Sequence, residues 1–168
     1  IRVLCLTVLV AVPCFWQMHI PSADLPSHLY GASLARTVQT TPVPGLKLAS
    51  AWTNTLSERL WAPLLGILGE RWLEGSLPAL AVVVFFWGEL FWIRRATGTW
   101  AWPLAPIVAM VSYGVIFHLG FLNFFLSTGL ALWCIGLLWR YSAGATAVAA
   151  GIAGIGWFAH ALPVLWAA

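Results

Sequence analysis

The chain has 168 residues, of which 61% are hydrophobic and only 8% are charged. Soluble domains typically carry about a quarter charged residues, so eight basic and five acidic side chains are too few to cover a water-facing surface. The net charge of +3 is small and scattered, and it gives no indication of nucleic-acid binding. The mean hydropathy of +0.90 and the twelve tryptophans predict instead an all-α, polytopic protein embedded in a lipid bilayer.

Five apolar segments qualify as membrane helices, because a hydrocarbon core of about 30 Å needs roughly 20 apolar residues in helical form. They cover residues 1–18, 77–93, 103–117, 124–139 and 143–163. The first segment has a rival interpretation as a signal peptide, because Arg2 precedes a short apolar run. Bulky residues from Pro13 to Trp16 occupy the place where small residues permit cleavage, which favours an uncleaved helix.

The expected organisation is a single transmembrane domain over residues 1–168. The chain starts without methionine and stops inside an apolar segment, so we expect it to be a fragment of a longer protein. Four arginines lie at alternate helix ends: Arg2, Arg94, Arg95 and Arg140. The positive-inside rule places them in the cytoplasm. The N-terminus is then cytoplasmic in a plasma (bacterial inner) membrane, and residues 19–76 form a long external loop.

Two amphipathic stretches are predicted to lie along the membrane surface within this loop. Leu25, Leu29 and Ala32 recur at helical spacing in residues 25–39, and residues 55–73 are rich in leucine and tryptophan. Residues 41–45 contain two prolines and a glycine, which indicate a turn or an extended linker between the two helices.

Polar residues collect on the external side in this topology, including all four histidines of the chain. Asp24 and His28 are four residues apart, so their side chains share one helix face. A carboxylate and an imidazole in this arrangement can act as a catalytic base and its partner, or hold a metal. The alternatives are an N-cap role for Asp24 and an ordinary interfacial position for His28.

Three further residues are candidates for substrate binding: His118, Asn123 and His160. Polar side chains at membrane depth are costly and therefore often functional. Asn123 has an alternative role as a turn or cap residue, and His160 has an alternative role in a hydrogen bond between helices. Cys5, Cys14 and Cys134 lie in apolar runs without metal-like spacing, so we interpret them as small hydrophobic residues.

The remaining acids are given structural interpretations. Glu89 lies four to six residues before Arg94 and Arg95, so it is expected to have a cationic partner. Three glutamates alternate with arginines in the second surface stretch, a pattern typical of a solvated helix face. They are Glu58, Glu70 and Glu74, with Arg59 and Arg71 between them.

The layout of residues 1–140 resembles the GT-C superfamily, polytopic glycosyltransferases that use lipid-phosphate-linked sugars. The resemblance is carried by Asp24 after the first membrane helix, in the segment Ala-Asp-Leu-Pro-Ser-His-Leu-Tyr (23–30), and by the two amphipathic stretches 25–39 and 55–73. The segment Gly-Phe-Leu-Asn-Phe-Phe (120–125) is similar to a stretch of uncharacterised bacterial membrane proteins of this type.

The resemblance implies transfer of a sugar from a polyprenyl-phosphate-type lipid donor at the external face. Asp24 would be the general base toward the acceptor, or would help to bind a divalent metal, and Arg36 would hold the leaving phosphate. In the family this acid is often one of a pair, but its neighbours here are Ala23 and Leu25. No metal ligand is therefore assigned, and the cofactor stays undetermined. The alternatives are a non-enzymatic multi-pass protein (a transporter subunit or an assembly component) and a haem or metal protein that uses the histidines.

Overall fold

The computed structural model describes residues 1–41, 44–48 and 51–168. Nine α-helices form this part of the chain: α1 (Arg2–Ala11), α2 (Leu25–Thr40), α3 (Leu56–Leu68), α4 (Glu70–Thr97), α5 (Ala105–Ser112), α6 (Val115–Leu119), α7 (Leu122–Leu138), α8 (Ala143–Ala159) and α9 (Ala161–Ala167). Helices make up 77% of the structure and no described residue lies in a strand, so the all-α prediction is confirmed. Of the predicted linker 41–45, Pro42 and Val43 lie outside the described residues.

Two helical stretches are long and apolar enough to cross a membrane. They are Arg71–Thr97, within α4, and Trp102–Leu119, which comprises a 3-10 turn, α5 and α6. Three shorter apolar helices are Arg2–Cys14, Leu122–Leu138 and Ala143–Ala159. Each of the five segments predicted from hydropathy therefore coincides with an apolar helix, although the helix boundaries differ.

The differences in boundary follow from glycine and proline. Helix α4 extends beyond the predicted 77–93 and is flanked by two glycines with positive φ, Gly69 (75°) and Gly98 (82°), a conformation that terminates helices. The predicted segment 143–163 is divided at His160, which has extended backbone angles. Pro163 lacks an amide hydrogen and its ring would clash with the carbonyl group of residue 159 in a continuous helix.

The central packing is between α4 and α7, whose backbones approach closely at glycines. A Cβ atom on Gly88 would lie 2.7 Å from the carbonyl oxygen of Gly129, and one on Gly129 would lie 2.7 Å from the backbone nitrogen of Phe85. Small residues allow apolar helices to associate in this way. Trp133 Nε1 also donates to the Val84 carbonyl group across the interface, at 3.0 Å. Helices α8 and α9 pack on α7, and α1 packs on α4.

Large apolar side chains remain exposed on α1, α5, α8 and α9, among them Leu4, Met110, Ile155 and Trp166. Of the three free cysteines, Cys14 and Cys134 are buried as expected of hydrophobic core residues, whereas Cys5 is exposed on α1. Helices α2 and α3 pack against each other near the start of α7. This places the polar beginnings of three helices together.

Candidate functional site

Asp24 is positioned by backbone hydrogen bonds to the turn between α6 and α7. The amide of Ala23 donates to the His118 carbonyl group at 2.9 Å, and the amide of Asp24 donates to the Leu119 carbonyl group at 3.1 Å. Gly120 completes the turn with φ +78°, and a Cβ atom there would lie only 2.6 Å from the Asp24 nitrogen. The turn therefore requires glycine twice over, for its φ angle and for the close approach of residue 24.

His28 lies one turn into α2 with a carboxylate on each side of its ring. Its Nδ1 is 2.5 Å from Glu58 Oε1, and its Nε2 is 3.6 Å from Asp24 Oδ2. A carboxylate oxygen accepts hydrogen bonds, so Nδ1 donates to Glu58. The His28 side chain is 10% exposed, that of Glu58 24% and that of Asp24 43%. In the neutral imidazole, Nε2 is then the proton acceptor on the Asp24 side.

Glu58 is held in place from α7. Asn123 Oδ1 accepts from the Ser57 amide at 2.9 Å, and Asn123 Nδ2 donates to Glu58 Oε2 at 3.4 Å. The Ser57 hydroxyl donates to the same carboxylate oxygen at 2.9 Å. Because the first amides of a helix have no partner within the helix, Asn123 acts as a cap for α3 supplied by another element. The buried amide of Asn123 thus orients the acid that orients His28.

Burial disfavours the charged forms of His28 and Glu58, and the contact between the two side chains favours them. Burial lowers the pKa of His28, but the hydrogen bond and negative charge of Glu58, with a smaller effect of Asp24, raise it above its usual value overall. Burial raises the pKa of Glu58, but the hydrogen bond from His28, followed by smaller effects of the backbone, the His28 charge and Ser57, lowers it overall. Relative to the isolated side chains, the contact therefore stabilises the imidazolium form of His28 and the carboxylate form of Glu58.

Asp24 and His28 face a pocket of about 510 Å³, which is within the size range of small-ligand sites. Its lining is mostly apolar and aromatic: Asp24, His28, Asn54, Ile116, Phe121, Phe124, His160, Leu162 and Trp166. The rings of His160 and Trp166 pack edge-on against Phe124, at centroid distances of 5.3 and 6.1 Å. The pocket thus combines polar side chains with a group of packed aromatic rings.

The structure brings together four of the six residues predicted from the sequence. Asp24, His28 and His160 line the pocket, and Asn123 lies directly behind Glu58. Arg36 does not line it; its guanidinium group packs over Gly66 of α3, where a Cβ atom would lie 2.5 Å from it.

His118 is also outside the lining of the pocket. Its Nδ1 donates to the Pro21 carbonyl group at 3.3 Å, and its own carbonyl group binds residue 23. His118 therefore helps to hold the segment before Asp24, and its side chain does not face a ligand in the pocket.

Glu58 is the site residue that sequence reasoning missed. A solvated face was expected for Glu58, Glu70 and Glu74, but Glu58 is paired with His28, and Glu74 accepts from His19 Nδ1 and the Ile20 amide. The side chain of Glu70 lies outside the described part of the chain. The spacing of Glu58 indicates that it lies beside the buried face of α3. Trp61 and Ala62, three and four residues later, share its helix face and are both buried.

Two structural interpretations of acids are also corrected. Asp24 occupies the N-cap position of α2, but its carboxylate makes no capping hydrogen bond; its backbone carbonyl group accepts from Ser27 and His28 instead. Glu89 has no arginine partner among the described residues. Arg94 lies over the Trp100 ring and Arg95 donates to the Gly136 carbonyl group, on the neighbouring helix.

Among the described residues, no group of three or more histidine, cysteine, aspartate or glutamate side chains is arranged to hold a metal ion. Comparisons with protein-family models, curated proteins and solved structures return no match. Function is therefore inferred from the pocket itself. Its chemistry consists of an imidazole oriented by a half-buried carboxylate, a second carboxylate beside the imidazole, and aromatic residues in the lining.

Proposed function

We propose that this chain is part of a multi-pass membrane protein whose pocket opens at the external face of the bilayer. The two long apolar stretches and the three shorter apolar helices support five crossings, and the exposed apolar side chains suit a hydrocarbon environment. Arg95 contacts Gly136 near the C-terminal end of α7, whereas Asn123 lies at the N-terminal end of the same helix. The positive-inside rule puts the C-terminal end of α7, and with it the N-terminus of the chain, in the cytoplasm.

We propose further that the pocket transfers a glycosyl group from a lipid-phosphate donor to an acceptor hydroxyl. The arrangement of Glu58, His28 and Asp24 is the observation that carries this proposal. Glu58 fixes the ring of His28. In the neutral form of His28, which becomes populated as pH rises through its raised pKa, Nε2 takes the proton of the acceptor while the acceptor oxygen bonds to the anomeric carbon. The bond from that carbon to the donor phosphate breaks, and the lipid phosphate leaves with the electron pair. His28 is thus the proposed base, and Asp24, first predicted in that role, stabilises the imidazolium.

The apolar and aromatic lining of the pocket suits the donor. Phe121, Phe124, Leu162 and Trp166 offer apolar surface to an isoprenoid chain and aromatic faces to a sugar ring. His160 Nδ1 accepts from the Leu162 amide at 3.3 Å, so the neutral ring carries its proton on Nε2. That N–H is the group we assign to the donor phosphate, in place of Arg36.

A structural role for the same residues is the competing function. The bonds His28–Glu58 and Ser57–Asn123 tie α2, α3 and α7 together, as they would in a non-enzymatic membrane component. The two functions differ in the role of Nε2 of His28. Its contact is with Asp24, 3.6 Å away at the start of the same helix, so it does not join these helices to one another. A change that removes proton transfer but preserves the Nδ1 position therefore separates them.

The test uses the full-length protein in nanodiscs with a panel of radiolabelled polyprenyl-phosphate monosaccharides and a panel of soluble and lipid-borne hydroxyl acceptors. Release of polyprenyl phosphate is the readout. His28→Asn retains a donor near the Nδ1 position and removes the base, so turnover is expected to fall about 100-fold or more. Lys47→Gln, an exposed change in the same loop, is the control and is expected to keep full turnover.

Folding is checked for each variant by size-exclusion profile and thermal unfolding. Full activity of a folded His28→Asn protein, or no consumption of any donor by the unmodified protein, contradicts the transferase. The second result would leave the structural role as the function of the network.

A further inference from the structure

A second cavity, of about 650 Å³, lies on the other side of α2 from the candidate site. Asp24 and His28 face the first pocket, whereas Leu29, Tyr30 and Ser33 line the second. At about 100° per residue, the second set points roughly opposite to the first. The two cavities are therefore separate, and a ligand of the second does not reach His28.

The lining of the second cavity has a polar part and an apolar part. Arg71, His19, Tyr30 and Ser33 supply a guanidinium group, an imidazole and two hydroxyl groups. The apolar part consists of Met18, Ile20, Pro26, Leu29 and Leu65. This combination suits a molecule with an anionic group at one end and a hydrocarbon chain at the other.

Among the residues whose side chains the structure describes, Glu74 is the one acid in the lining, and its carboxylate is already engaged. It accepts from the Ile20 amide at 3.0 Å and from His19 Nδ1 at 3.1 Å, and its side chain is only 14% exposed. These bonds hold residues 19 and 20 against α4 and partly compensate the negative charge of Glu74. Arg71, exposed at the beginning of α4, is the arginine of the described lining and the cation that we assign to an entering ligand.

We infer that this cavity binds the phosphate head group of an anionic phospholipid. Arg71 is the first residue of the long apolar stretch, which is the depth at which head groups lie. Trp16 and Trp72 are exposed beside it, at 69% and 62%, and aromatic residues of this kind mark the membrane interface. A guanidinium group binds phosphate through two parallel hydrogen bonds, and Tyr30 and Ser33 add hydroxyl donors. The lipid is retained and is not consumed, so this site is independent of the proposed transfer reaction.

The experiment is native mass spectrometry of the full-length protein released from micelles containing phosphatidylglycerol or phosphatidylcholine, with inorganic phosphate as a third probe. The unmodified protein is expected to retain phosphatidylglycerol in preference to the other two. Arg71→Gln should reduce the retained fraction roughly fivefold or more, the effect of one basic group at an anionic surface. Arg71→Lys keeps the positive charge but loses the planar guanidinium group, so the retained fraction of phosphatidylglycerol should be intermediate.

Arg140→Gln is the matched control, because Arg140 is an exposed arginine that follows the C-terminal end of α7, away from the second cavity. It should retain phosphatidylglycerol as the unmodified protein does. Equal retention of both lipids by the unmodified protein, equal loss in the two glutamine variants, or binding of inorganic phosphate as tight as that of the lipid would overturn the inference. The comparison of lipids needs no variant, so it tests the inference even if the Arg71→Gln protein misfolds.

Discussion

His28 Nδ1 and Glu58 Oε1 lie 2.5 Å apart although 30 positions separate the two residues in the chain. The contact joins α2 to α3 and makes both residues part of one network with Asn123 of α7. Either charge alone would be costly at this burial, and together they compensate each other. The packing of α2 against α3 and the basicity of His28 are consequently linked through one hydrogen bond.

The first prediction concerns pH. The pKa of His28 is raised in the folded state, so its contribution to stability is complete below its ordinary value of 6.5 and is lost as pH rises through the raised value. The pKa of Glu58 is lowered, so its contribution is complete above its ordinary value of 4.5 and is lost as pH falls through the lowered value. Both contributions are therefore complete between pH 4.5 and 6.5.

Glu58→Gln should remove about 2 kcal/mol of unfolding free energy in that window, the size of a hydrogen bond to a charged group, and less on either side. Tryptophan fluorescence during denaturation by sodium dodecyl sulfate, repeated from pH 4 to 9, measures the difference. A difference between the two proteins that does not change with pH would show that the ion pair does not form.

The second prediction concerns Gly120. Gly120→Ala should destabilise the fold by about 2 to 3 kcal/mol, because alanine is strained at φ +78° and its Cβ atom would press on the Asp24 amide. Gly98→Ala is the matched control, since Gly98 has φ +82° and nothing lies within 4 Å of its added Cβ atom. Gly98→Ala should lower the unfolding free energy by about 1 kcal/mol, the effect of backbone strain alone. Thermal unfolding measures both, and equal losses would mean that the approach of residue 24 is unimportant.

The third prediction concerns Asn123, which is 1% exposed. Asn123→Ala leaves the Ser57 amide and one oxygen of Glu58 without this partner and should cost about 2 to 3 kcal/mol. Asn123→Asp keeps the acceptor for Ser57 but faces Glu58 with a second negative charge, so its loss of stability relative to the unmodified protein should be larger at pH 8 than at pH 5. Gln39→Ala, an exposed amide near the end of α2, is expected to change stability by less than about 0.5 kcal/mol. Chemical denaturation at both pH values distinguishes the three variants.

Hydropathy and helical spacing were sufficient to predict the helices and part of the site. The i, i+4 spacing of Asp24 and His28 placed them on one face, because a helix fixes that geometry locally. Glu58 was missed because its partnership depends on how α2 packs against α3, and the adjacent Arg59 made it resemble a solvated residue. Arg36 and His118 have side chains that can bind a phosphate or a sugar, but tertiary contacts decide where those side chains lie. The Arg36 guanidinium group packs over Gly66, and the His118 ring bonds to the Pro21 carbonyl group.

The final prediction concerns the packing of α4 against α7. Gly129→Ala should destabilise the protein by about 1 to 3 kcal/mol, because the new Cβ atom would lie 2.7 Å from the backbone nitrogen of Phe85, which cannot move without the helix. Gly151→Ala is the matched control, with open space around the added atom on the exposed side of α8. It should leave stability unchanged or raise it by up to about 1 kcal/mol, since alanine favours the helix. Unfolding in detergent compares them; an equally stable Gly129→Ala protein would mean that the two helices pack less closely than described.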